Sequence, residues 1–160
     1  MSEQQLSLPE LRTRRRELQD SEDAVSFVRR IAQGRLDLAE DEQRRRASGD
    51  SQPAGSLADR LAEIFGQQHG GGSARPPRET NVPSDHPLMQ QLDDLCEQYQ
   101  FESLDTIDDR GLADLVSGLS MFEKECSRQR HELFEQIDAL TAELVRRVRE
   151  SGAGAVIGDS

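Results

Sequence analysis

Glu22, Ser26, Arg29, Gln33 and Asp37 follow one another at offsets of four, three, four and four. At about 100° per residue they fall near 0°, 40°, −20°, 20° and 60° around a helix, a polar stripe roughly 80° wide. The types recur 101 residues later as Glu123, Ser127, Arg130, Phe134 and Asp138, with four of five matching at identical spacing. An arginine offers a planar fork of donors that fits a phosphate or the O6/N7 edge of guanine. A carboxylate can accept from the ring N–H and amino group of guanine, and Ser and Gln add hydrogen bonds. Glu can orient the arginine or accept from a base. A guanine dinucleotide with two phosphates and internal two-fold symmetry would match such a doubled set, although the chemistry alone does not single it out.

Two long helices must carry these stripes. From Pro9, tolerated in a first turn entered from Ser7 or Leu8, apolar or small residues recur every seven positions at Leu11, Leu18, Val25, Ala32 and Ala39. Val28, Ile31 and Leu38 widen that face, and Ala47-Ser-Gly49 ends it, so the first helix is expected over 9–46. A second is expected over 106–150, capped at Thr106 with Asp109 three residues on. Its seam runs through Leu112, Leu115, Leu119, Phe122, Cys126, Gln129, Leu133 and Leu140, then drifts to Ile137, Leu144 and Val148. Gly152 and Gly154 are expected to stop it, leaving 151–160 as a disordered tail. Taking Leu11 and Leu112 as a positions, both stripes occupy e, b, e, b and f, beside the seam.

Between them, 47–105 reads as a linker with short helices near 57–66 and 87–100. The first is capped by Ser56 and stopped by Gly66. The second is capped by Ser84 or Asp85 and has an apolar face of Leu88, Leu92, Leu95 and Tyr99. They either fold back as padding or add partner-binding surface. Gly70-Gly-Gly72 is not followed by GK[ST], so no phosphate loop is present.

Composition narrows the class. Only 34% of the 160 residues are hydrophobic and 4% aromatic, against 32% charged, which suits long amphipathic helices rather than a large core. A net charge of −11 opposes direct DNA binding and favours basic partners. Arg14-Arg15-Arg16 and Arg44-Arg45-Arg46 then read as solvated or paired with nearby acids. Cys96 and Cys126 form no CxxC pair, no basic and apolar leader opens the chain, and no apolar run approaches a membrane span, so a cytoplasmic protein is expected. His69, His86 and His131 lack ligand spacing, so no metal is expected. No catalytic constellation appears, and the chain reads as a non-enzyme.

A narrow seam must be buried. Packing the two helices against each other gives an all-α fold: a long antiparallel two-helix coiled coil with one or two short extra helices and flexible linkers. With Arg29 opposite Arg130, paired residue numbers sum to about 160, so Leu11 meets residue 149 and Arg46 meets residue 114. Both stripes then share one side of the hairpin.

The pattern ExxxSxxRxxxQxxxD on each of two helices resembles the signature of the RsiG-type anti-sigma factors of sporulating actinobacteria. The first copy matches fully, and the second carries Phe134 in place of Gln. The resemblance implies a coiled coil that binds cyclic-di-GMP as a dimer. It implies that Glu22, Ser26, Arg29, Gln33, Asp37, Glu123, Ser127, Arg130, Phe134 and Asp138 form the nucleotide site. It also implies a flagellar-type sporulation sigma factor, WhiG, as the partner held from RNA polymerase when nucleotide is bound, so that transcription of late sporulation genes is repressed. The alternative is a ligand-free structural coiled-coil adaptor. Phe134 either stacks on a base or joins the seam beside Leu133 and Ile137.

Overall fold

A computed structural model describes residues 5–49 and 86–157, with side chains as far as Gly152. The proposed helix at 57–66, its Ser56 cap and the neighbouring linker lie outside the described residues. Three α-helices and one 3-10 turn make up the described part: α1 (Leu8–Ser48), α2 (Pro87–Gln98), a 3-10 turn (Phe101–Ser103) and α3 (Asp109–Ile157). The fold is all-α, with no strand among the described residues.

Local chemistry sets the helix ends. Ser7 caps α1 through a capping box: its Oγ accepts from Glu10 N, while Glu10 Oε2 accepts from Ser7 N at 2.7 Å. Gly49, at φ 73°, closes α1 in the left-handed region where glycine carries no Cβ penalty. The cap of α2 is His86, whose Nδ1 accepts from Leu88 N at 3.2 Å; Ser84 and Asp85, expected in that role, lie outside the described residues. At α3 the cap is Asp108, accepting from Gly111 N at 2.7 Å, while Thr106 donates back to Ser103 O. A carboxylate satisfies a first-turn N–H better than a hydroxyl already engaged in the preceding turn. At its other end α3 runs past Gly152 and Gly154 to Ile157, beyond the expected stop at residue 150. Each interior glycine costs about 1 kcal/mol, which a long, already nucleated helix absorbs.

The long helices run in opposite directions. Leu11 and Leu18 cluster with Leu140 and Leu144, Leu6 O accepts from Arg147, and Arg46 near the end of α1 reaches Asp109 at the start of α3 at 3.0 Å. The register differs from the expected one. Arg29 lies opposite Glu123 and Glu22 opposite Arg130, each pair summing to 152, whereas Arg29 opposite Arg130 would sum to 159. The helices are therefore offset by one heptad, so Leu11 meets Leu140 and Leu144 rather than residue 149, and Arg46 meets Asp109 rather than residue 114. A seven-residue slide keeps the same seam buried. It replaces an arginine–arginine apposition with two arginine–glutamate pairs, so charge favours the observed register.

The core is concentrated toward the α2 end. Val25, Val28, Ala32, Leu38 and Ala39 of α1 and Leu112, Leu115, Leu119 and Cys126 of α3 are buried there. Leu88, Leu92 and Cys96 of α2, with Phe101 and Leu104, cover them, so the second short helix folds back as padding. Gly118 lets α2 approach: a Cβ there would sit 3.1 Å from the Tyr99 ring. Burial pushes the Cys126 thiol up to about 11, as expected of a small buried hydrophobe. A smaller cluster of Leu11, Leu18, Leu140 and Leu144 holds the far end, and only the half-buried Leu133 packs against both. Val148, expected in the seam, is instead 52% exposed.

The arginine run at the end of α1 is a clasp. Glu42 is fully buried and accepts from Arg45 Nε at 2.8 Å and Arg46 Nε at 3.0 Å. The Arg45 hydrogen bond is the main cause that holds its carboxyl below the usual range, against the opposing cost of burial. Arg46 continues to Asp109 and to Leu104 O at 3.2 Å, tying α1 to the turn that opens α3. Arg45 and Arg46 are thus committed within the fold.

Leu115 sits at the centre of the larger cluster with no exposed surface. Leu115→Ala is expected to cost about 2–5 kcal/mol from lost transfer energy plus the cavity left behind, measured by urea unfolding followed by helical circular dichroism. The equivalent change at exposed Met121 should stay within about 0.5 kcal/mol.

Candidate functional site

The heptad slide brings six of the ten motif residues together. Arg29 Nε donates to Glu123 Oε1 at 3.0 Å and to Ser127 Oγ at 2.8 Å. Ser127 Oγ in turn donates to Glu123 Oε1 at 3.0 Å. On the other side Arg130 Nε donates to Glu22 Oε1 at 3.2 Å, and Ser26 Oγ donates to the same Glu22 oxygen. Each motif copy thus supplies an arginine to the other copy's Glu–Ser pair. The two halves are related by a local pseudo-two-fold axis between the helices.

The sequence makes this geometry possible in two ways. Glu and Ser four residues apart lie on one helical face, so the serine can lock the carboxylate before the arginine arrives. Serine is also short enough at a b position for a guanidinium from the facing helix to lie across it. The site runs from Glu22 to Arg29 on α1 and from Glu123 to Arg130 on α3, alongside the end of the larger apolar cluster nearest the smaller one. The acids are well covered, with Glu22 and Glu123 side chains 13% and 18% exposed, while Arg29 and Arg130 remain 27% and 40% exposed.

Among the described residues, both arginines make their ionic and hydrogen-bond contacts through Nε. The Nη1/Nη2 edge of each guanidinium is therefore left for another acceptor. Glu22 and Glu123 each hold a guanidinium by its Nε edge.

The remaining motif residues lie around this network rather than in it. Gln33, Asp37 and Asp138 are exposed, and Gln33 and Asp138 make no hydrogen bond or ion pair among the described residues. Partial desolvation pushes the Asp37 carboxyl upward, with Arg44 opposing. Phe134 is 38% exposed and belongs to neither apolar cluster, so it does not join the seam. Its ring lies 5.0 Å from the Arg130 guanidinium carbon, a cation–π contact that has no counterpart at Gln33. The halves are thus alike in their Arg–Glu–Ser core and different at the fourth motif position.

Sequence spacing located the stripes but missed the cross-pairing of Arg with Glu. The signal was available in the e-position charges: two Arg and two Glu at e allow one register with opposite charges facing. Among the described residues no group of His, Cys, Asp and Glu is arranged to hold a metal, and no helix is long and apolar enough to cross a membrane.

Reversing one partner should expose the register dependence. Arg29→Glu or Glu123→Arg alone is expected to lower stability by about 1 kcal/mol, the upper range for a partly exposed pair. The double exchange should recover most of that loss. Thermal melts of the three variants check this, and a double exchange no more stable than the singles would show that the pair does not set the register.

The RsiG-like family model matches residues 3–65, which include all of α1 and the first motif copy. No curated protein matches the chain. The second copy, on α3, lies beyond the matched residues and is carried by its own residue types, spacing and facing position. Over residues 3–65 the chain is thus similar to the RsiG-like family, in keeping with the resemblance its first motif copy carries.

Proposed function

We propose that the protein is a cyclic-di-GMP-dependent anti-sigma factor. The hairpin of α1 and α3 is read as an antiparallel coiled coil whose motif face takes up the nucleotide as a dimer. In that state it sequesters a flagellar-type sporulation sigma factor, WhiG, from RNA polymerase, repressing late sporulation genes. The observation that carries this reading is the reciprocal network of Arg29 with Glu123 and Ser127, and of Arg130 with Glu22. It leaves the Nη edges of two arginines without a hydrogen bond among the described residues, in a near two-fold arrangement that would suit a ligand with two-fold symmetry, two phosphates and two guanines. The RsiG-like match supports the sigma-binding role.

The chain's own groups divide the work by chemistry. Arg29 and Arg130 would present Nη1 and Nη2 to a phosphate or to guanine O6 and N7. Asp37 and Asp138 would accept from guanine N1–H and the amino group, and Gln33 would add a hydrogen bond in its half. Phe134 in the other half offers a flat apolar face already aligned with a guanidinium, which suits stacking on a base. With groups of both partners meeting the same nucleotide, sigma and nucleotide would each strengthen the other's binding, as linkage requires. The chain's acidic balance complements basic sigma surfaces that otherwise engage DNA or polymerase.

Calorimetry of the full chain with cyclic-di-GMP, with and without WhiG, tests this directly. Arg29→Ala combined with Arg130→Ala removes two charge-assisted sets of hydrogen bonds at about 1.5–3 kcal/mol each. Nucleotide-dependent sigma binding should therefore weaken at least ~100-fold, with helical circular dichroism retained. Sigma binding that is the same with and without nucleotide, and untouched by the double change, would instead favour the structural adaptor.

A further inference from the structure

The motif face does not stop at Glu22 and Asp138. On α1 the same b and e positions continue toward the N-terminus as Gln19, Arg15 and Arg12, with Arg16 at f. On α3 they continue toward the C-terminus as Leu144 and Val148, with Val145 beside them at f. These residues line a single groove of about 600 Å³ at the open end of the hairpin, together with Arg149. Its floor is apolar: Leu144 is buried, while Val145 and Val148 are 44% and 52% exposed. Its walls are basic, and among the described residues Arg12, Arg15, Arg16 and Arg149 have no ion pair or hydrogen bond. Nearby arginines contrast with them: Arg14 pairs with Glu17, Arg146 with Glu143 and Glu150, and Arg147 with Glu143.

We infer that this groove docks an acidic amphipathic helix of the protein partner. The inference rests on the proposed sigma-binding reading and names the chemistry of one segment of that partner. Four arginines that meet no acid among the described residues, in a chain of net charge −11, are a local reversal of sign that an acidic segment complements. The valines require apolar side chains at helical spacing on the same segment, which a bare phosphate ligand cannot supply. An anionic membrane fits less well, because the floor has no Trp, Phe or Tyr to enter the interface and the rest of the chain is repelled by the lipid charge. Continuity with the motif face lets one partner cover both, with basic regions over the acidic body of the hairpin and an acidic helix at this end.

Two variants of the full chain test the inference, Val148→Asp and Arg12→Glu, both at surface positions outside the two motif copies. Each is titrated with cyclic-di-GMP alone, and then, nucleotide-loaded, with WhiG. A photoreactive residue placed at Val145 reports which partner segment lies in the groove. The expected result is unchanged nucleotide affinity, at least tenfold weaker WhiG binding, and cross-links to an acidic segment with apolar residues three and four apart. WhiG binding at full strength in both variants, or cross-links to a basic segment, overturns the inference while leaving the nucleotide-dependent function standing. Loss of cyclic-di-GMP affinity in Arg12→Glu without WhiG would assign the arginines to the nucleotide and also overturn it. Binding of the unaltered chain to phosphatidylglycerol vesicles, abolished by Val148→Asp, would assign the groove to a membrane. If the unaltered, loaded chain fails to bind WhiG at all, the proposed function and this inference fall together.

Discussion

Two crossed ion pairs, Arg29 with Glu123 and Arg130 with Glu22, join the long helices of this protein in the register they adopt. Hydrophobic periodicity alone does not specify that register. A heptad seam packs nearly as well when slid by seven residues, because every a and d position meets another of its kind. In energy the pairs are modest, as partly exposed ion pairs are. Their leverage lies in the difference between registers: the alternative places arginine against arginine. The same contacts that join the helices also hold both arginines by Nε.

Much of this architecture could be read from the residues. The seven-residue run from Leu11 to Ala39 and the three-four alternation from Leu112 to Leu133 located both long helices, because a buried seam leaves a periodic trace. The two stripes were equally visible, since residue type and spacing repeat. The register was not legible from the motif centres, because placing like residues opposite like is a symmetry guess that ignores charge. The sign of the e-position residues held the missing information. Helix ends were less legible for a different reason. Asp108 and His86 cap α3 and α2 through contacts that depend on the turns before them. The extension of α3 through two glycines reflects propagation from an already formed helix, which local propensity does not see.

The clasp around Glu42 and the cover from α2 explain why the arginine runs behave so differently. At the closed end, Arg45 and Arg46 share a buried carboxylate, and Arg46 bridges to Asp109 and Leu104 O, so positive charge is spent on holding α1 to α3. At the open end, Arg15 and Arg16 have no such acid within the described fold. Composition gives both runs the same appearance, three consecutive arginines in an acidic chain. Only the placement of acids around them separates a structural cluster from a surface available to a partner.

Phe134 shows how a doubled motif can tolerate unequal halves. The shared core of each half is the arginine, the glutamate across the interface and the serine that braces it, and all six residues are present. The fourth motif position lies outside that core, so replacing Gln with Phe leaves the register contacts intact. What changes is the surface beside the guanidinium: Gln33 offers hydrogen bonds, whereas Phe134 offers a ring held 5.0 Å from the Arg130 guanidinium carbon. That contact gives the more exposed of the two arginines a second constraint beside its pairing with Glu22. The asymmetry therefore falls on the half where the arginine is less covered and has one fewer hydrogen bond, and the phenylalanine compensates for both.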